Sequence, residues 1–361
     1  MRFLGLSVGL LIGIGTLCLV SPVFTKWKPS LQCRDFVGVE GPPLPSPDGA
    51  PDPFLRLGVP SLDNQVCVLT QFFKDCRDFP SPLVATIANA LLFGTALSNT
   101  VFVGFEATRS DSRGAAASAS LTAFLMQYIG ISVIIPAVWF PSFLYSHATP
   151  LAHQAPVSRP AAISIAQPRL LVFIALANVV VGAMLLYLGF APDSSSYSIA
   201  FFVFQFLPIA SPWLWPLFRS TTPSSVKDAV TSSVTATQIY YAFAVLFSLH
   251  HWVGFVVPLI ATPDTTPLSN LETLWAFLKK LPQESRALPT WFLLLDGISL
   301  TATNALIVAT EQQTFASTVT SLLLFAAQSV VVGPGAAFML FCASREQAIR
   351  RVHYVDPQKL S

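Results

Sequence analysis

The stretch Leu91–Arg113, LLFGTALSNTVFVGFEATRSDSR, decides how the rest of the chain reads. An apolar helix runs down to a polar corner, and Glu106 sits where hydrocarbon gives way to headgroups. Asn99 precedes it by seven residues, about 20° away round a helix of about 3.6 residues per turn. Asn99, Phe102 and Glu106 therefore share one face. A carboxylate inside or at the edge of a bilayer is costly, so it faces a bundle interior or a cavity. The competing reading is a helix-end carboxylate paired with Arg109 or Arg113.

Composition agrees with a membrane setting. Of 361 residues, 53 % are hydrophobic and only 11 % charged, where soluble domains carry about a quarter charged residues. This predicts an all-α, polytopic integral membrane helical bundle of about eight transmembrane helices. The formal net charge of +2 leaves no footprint for a nucleic-acid partner, and no basic tract, zinc spacing or phosphate-cradling glycine loop occurs. Residues 1–24 read as a first transmembrane helix, with Gly9 and Gly13 spaced for close helix packing; a cleaved signal is the alternative. Residues 25–80 form a Pro-rich polar loop holding Cys33, Cys67 and Cys76, open between one disulfide and three free thiols. Near its end Val66, Leu69, Phe72 and Phe73 share a helical face, which predicts a short stretch lying on the membrane. Residues 81–343 are expected to form a seven-helix catalytic bundle. Residues 344–361 are a basic tail, with Arg345, Arg350 and Arg351 favouring the cytosolic side.

Within the bundle, helix two spans about Pro82–Ala107 and helix three about Ala117–Tyr145, with Gln127 and a kink-prone Pro136. Trp139 and Phe140 read as part of an interfacial aromatic belt. Helix four covers about Arg169–Phe190 and helix five about Tyr197–Leu217, where Pro208, Pro212 and Pro216 interrupt the pattern. Helix six covers about Thr235–Ile260. Tyr240 and His251 share a face there, either as a tyrosine-bonded structural histidine or as a proton donor or polar gate. Ser269 and Glu272 predict a capping box that opens a short interfacial helix. Helix seven, about Pro289–Ala309, has Asp296 well inside its apolar run, with Thr303 on the same face and Asn304 and Glu311 nearby. Helix eight, about Ala316–Cys342, carries a Gly333–Pro334–Gly335 break. An even count places both termini on one side.

Two acidic faces, Asn99/Glu106 and Asp296/Thr303, among abundant aromatics point to a water-poor cavity. Desolvation there disfavours the charged form of a carboxyl group. A protonated carboxyl can open an epoxide or protonate an alkene as a general acid, and aromatic faces can stabilise the resulting cation. Glu106 and Asp296 are thus the candidate catalytic acids. Asn99, Gln127, Tyr240, His251, Thr303 and Asn304 are the candidate substrate-binding residues.

From Leu69 to Tyr145 the stretches LTQFFKD, ALLFGTALSNTVFVGFEATR and FLMQYIGISVIIPAVWFPSFLY resemble the fungal membrane-bound terpene cyclases of ascofuranone and related meroterpenoid pathways. The resemblance implies acid-initiated cyclisation of a farnesylated or otherwise prenylated aromatic, as an epoxide or alkene. It implies no metal and no cofactor. The partners it implies are a hydrophobic prenylated small molecule and the lipid bilayer, with room for other enzymes of the same pathway, in the endoplasmic reticulum membrane. It does not say which carboxylate acts. The rival class is a non-enzymatic polytopic membrane protein such as a small-molecule transporter, and the lack of an internal repeat counts against it.

Overall fold

The computed structural model describes residues 2–27, 71–77, 79–109, 112–146, 226–263 and 265–351, with Val68, Phe173 and Leu176 between them. Helices four and five of the sequence reading, apart from the helical Phe173 and Leu176, lie outside the described residues, as do Cys33 and Cys67. Cys18, Cys76 and Cys342 are free thiols. The principal helices are α1 (Arg2–Lys26), α2 (Pro82–Ala107), α3 (Ala119–Ile129) and α4 (Ile131–Ser146), followed by α5 (Val226–His251, carried on to Ala261). After these come α6 (Pro267–Lys279), α7 (Leu288–Thr310), α8 (Phe315–Val332) and α9 (Pro334–Arg350). Five described helices are long and apolar enough to cross a membrane. The chain is an all-α membrane helical bundle.

α2 is the central post: 83 % of its apolar stretch is buried inside the protein, against 11 % for α8. Lipid tails solvate apolar side chains as well as a neighbouring helix does, so close packing and polar bonds hold such a bundle together. α7 runs parallel to α2. Gly297 of α7 sits against Leu91 and Leu92, and fourteen residues on from Gly297, Arg345 bridges Glu311 to Glu106. α1 runs antiparallel to α7. Gly5 lies against Thr310, Thr16 donates to Ser299 Oγ at 2.9 Å, and Ser285 donates to the Lys26 carbonyl at 3.4 Å. The expected close approach at Gly9 and Gly13 is made to α4, where Pro136, Ala137 and Phe140 leave no room for a Cβ. α5 is antiparallel to α2, with Tyr240 packed on Phe105 and His250 bonded to the Ala90 carbonyl.

Two expected spans are instead hairpins. α3 and α4 are joined at Gly130, whose φ of +110° lies in a region that favours glycine. The two arms return to the same end, because the Arg113 N–H donates to Ser146 Oγ at 2.9 Å. α8 and α9 likewise turn at Gly333, φ +89°. This tip packs on His251 and, through Gly335, on Gly94, while Arg345 near the far end of α9 reaches Glu106 at 2.9 Å. Gly94 is the thirteenth residue of α2, so the second tip stops about halfway along that helix. Each hairpin thus brings both its ends back to one end of the bundle, although α8 by itself is long and apolar enough to cross a membrane.

Three local expectations change with this. Trp139 and Phe140 are 0 % exposed and each stacks on Phe143 in the interior rather than in an interfacial belt, because the returning α4 is wedged between α1 and its neighbours. Of the stretch expected to lie on the membrane, Val66 and Leu69 lie outside the described residues, and the helix at 71–77 packs inward. Phe72 meets Trp27 and Phe292 edge-on, Cys76 is fully buried, and Asp75 accepts from Trp27 and Gln71. The capping box of α6 is formed by Thr266 and Ser269, one turn before the expected Ser269/Glu272 pair. Pro267 takes the first helical position, where its missing N–H costs nothing.

Candidate active site

Below the α3–α4 tip lies a cavity of about 270 Å³. Val23 and Trp27 from the end of α1, and Phe72 and Phe73 from 71–77, form one wall. Leu92, Phe93, Ala96, Leu97 and Thr100 of α2 form a second, and Phe292, Leu293 and Asp296 of α7 a third. The roof is the run from Met126 to Ile131, where the helix breaks at Gly130. Irregular backbone at membrane depth is tolerated where it is buried in protein or lines a cavity, and this roof does the latter.

Asp296 is the acidic side chain among the described lining residues, at 2 % exposure. Its Oδ1 accepts a hydrogen bond from Ser132 Oγ, on the first turn of α4. Ser132 is held from behind: Ser299 donates to its carbonyl at 3.2 Å, and Thr16 donates to Ser299 Oγ. A chain of hydroxyls from α1 through α7 to α4 thus fixes the group that fixes Asp296. Among the described residues no lysine or arginine forms an ion pair with this carboxyl. Around it stand the aromatic rings of Trp27, Phe72, Phe73, Phe93 and Phe292.

Glu106 has a different environment. It does not line the described cavity, and it is the helix-end carboxylate paired with Arg109 of the competing reading. Its Oε1 accepts from Arg109 Nε and Arg345 Nη1, each at 2.9 Å. Arg109 also reaches Glu346 at 2.5 Å, and Arg345 reaches Glu311 at 3.2 Å. These five charged residues form a buried cluster where α2, α7 and α9 meet. Burial works against the charge on Arg109, but Glu106 and Glu346 outweigh it and raise the guanidinium pKa further. The arrangement is that of a carboxylate clamped by cations.

Of the candidate binding residues, the structure brings Gln127 together with Asp296 at the cavity. The others lie elsewhere. Asn99 donates to the Thr95 carbonyl, and Thr303 to the Ser299 carbonyl. Asn304 is wholly buried on α7. Tyr240 packs on Phe105, and His251 contacts the Val330 carbonyl rather than Tyr240. The two sit eleven positions apart on α5, about 16 Å along a helix axis. Sequence reasoning missed Ser132, Ser299 and Thr16, none of which stands out in apolar helices. The one available signal was Gly130, two residues before Ser132.

No curated protein and no solved structure matches the chain. Residues 39–350 match the family described as the CtvD domain. The chain therefore belongs to the CtvD domain family, which points to a biosynthetic enzyme of fungal secondary metabolism.

Proposed function

We propose that the chain is an integral-membrane terpene cyclase that folds a farnesylated aromatic, as an epoxide or alkene, in a meroterpenoid pathway. The observation that carries this reading is Asp296, an acid unpaired with any described cation, in a cavity walled by aromatic and aliphatic side chains. A carboxylic acid offers one O–H donor and keeps acceptor capacity on its other oxygen. With Ser132 on Oδ1, Oδ2 is left to carry the proton. For an epoxide, Asp296 gives that proton to the epoxide oxygen and the C–O bond breaks with its electron pair going to oxygen. The electron pair of a neighbouring alkene then closes the ring onto the cationic carbon. Loss of a C–H proton to the Asp296 carboxylate ends the sequence and restores the acid, so the overall change is an isomerisation. The rings of Phe72, Phe73, Phe93, Phe292 and Trp27 present negative faces to the passing cation and compete poorly for it as nucleophiles.

The test is Asp296→Asn in microsomes supplied with farnesylphenol epoxides. Folded protein at wild-type level with turnover lowered about 10²-fold or more is expected of a lost general acid. Near-normal turnover would overturn the assignment. Turnover by the wild-type protein is also expected to survive treatment with a strong chelator; its loss, with recovery on adding back a divalent metal, would contradict a purely acid-initiated route.

A further inference from the structure

We infer that the cavity opens sideways into the bilayer at the turn between α3 and α4, and that its substrate enters there from the acyl-chain layer. This rests on the reading of the cavity as the reaction chamber. Among the described lining residues only two are exposed at the protein surface: Tyr128, at 60 %, and Ile129, at 41 %. A side chain that both lines a cavity and faces outward makes a wall one residue thick. The next residue, Gly130, leaves a gap: no described heavy atom lies within 4 Å of where its Cβ would stand.

The depth of this thin wall identifies what lies outside it. Ser132, two residues past the gap, bonds Asp296, the ninth residue of α7, which is long and apolar enough to cross a membrane. Eight residues of rise place that level about 12 Å inside the end of the helix, within an apolar layer about 30 Å thick. Leading to the gap along α3 is an exposed stripe of Leu121, Phe124 and Tyr128, at the spacing of one helix face. The mouth therefore opens on hydrocarbon. It fits a molecule dissolved in the membrane, with a prenyl chain that can pass between Tyr128 and Ile129 tail first.

The experiment uses the full chain in phosphatidylcholine nanodiscs and a tritiated farnesylphenol epoxide as probe. Ile129→Trp narrows the mouth, and Leu323→Trp adds the same bulk on the exposed face of α8, away from the cavity and from the stripe leading to it. Ile129→Trp is expected to raise KM about tenfold with kcat within about threefold, the pattern of lost access rather than lost chemistry, while Leu323→Trp changes neither. Raising the lipid content at fixed total substrate should lower the wild-type rate by surface dilution. An unchanged KM in Ile129→Trp, or a rate that ignores lipid content, would overturn the sideways entry. Slower equilibration of the probe with the Ile129→Trp,Asp296→Asn double variant than with Asp296→Asn alone reads the mouth without any turnover. The inference can thus fail or stand separately from the acid chemistry.

Discussion

Two carboxyl groups looked equivalent along the chain, and their neighbours divide them. Asp296 meets one hydroxyl, whereas Glu106 meets two guanidinium groups, one of them contributed by α9 from more than two hundred residues away. The local partner, Arg109, was legible in the sequence as an i,i+3 neighbour; Arg345 was not, because no pattern along a chain reveals which distant helix returns beside it. Glu106→Gln leaves Arg109 and Arg345 short of a buried counter-charge. Such a loss costs about 3–5 kcal/mol, so the variant is expected to lose thermal stability and yield. The specific activity of whatever folds should stay near wild type. A well-folded Glu106→Gln protein with abolished turnover would move the acid to this residue. Ser132→Ala removes the hydroxyl that orients Asp296, and its expected signature is a fall in kcat of about tenfold with KM little changed, rescued by Ser132→Thr. A matching loss of folded protein, unrescued by threonine, would make Ser132 a packing residue only.

At the scale of elements, the strongly apolar, uninterrupted helices were legible: α2 and α7 have the limits their hydropathy indicates, to within a residue or two. Helices three and eight were misjudged because the total length of each apolar run fits a span. A run of about 28 apolar residues crosses once as a rod or folds back as two shorter rods, and hydropathy is the same in both. What separates the two is one residue with positive φ, Gly130 or Gly333. The Gly333–Pro334–Gly335 break was visible, but the reversal that follows depends on a partner surface. Gly94 and Gly335 supply it, since a Cβ on Gly335 would fall 2.2 Å from the Gly94 carbonyl oxygen. Gly335→Ala is therefore expected to force α9 away from α2 and destabilise the fold by more than the about 1–3 kcal/mol typical of overpacking. Thermal unfolding of the purified variant checks this, and a wild-type midpoint would contradict the contact.

For the molecule as a whole, the two hairpins set which surfaces face which side. Following the described chain, α1 starts beside Thr310 and ends beside Ser285. α2 rises to the charged cluster, and α5 descends from it. α7 rises again, and α9 finishes at the cluster through Arg345. The first helix begins and the last helix ends at one end of the bundle, as an even count of spans would also give. The end points alone therefore cannot tell two straight spans from two hairpins, but the residues flanking them can. A spanning helix three would place Arg113 and Tyr145 on opposite sides of the membrane; the hairpin holds both at the cluster end, with Arg113 bonded to Ser146. The same holds for Thr314 and Arg351 around α8 and α9. All four of these residues are exposed. Single substitutions Arg113→Cys, Tyr145→Cys, Thr314→Cys and Arg351→Cys are expected to react with a charged, membrane-impermeant maleimide from one side of sealed vesicles, above the wild-type background. Glu284→Cys, at the opposite end before α7, should react only from the other side. Labelling of Arg113→Cys and Tyr145→Cys from opposite sides would replace the first hairpin by a span, and would take with it the roof over Asp296.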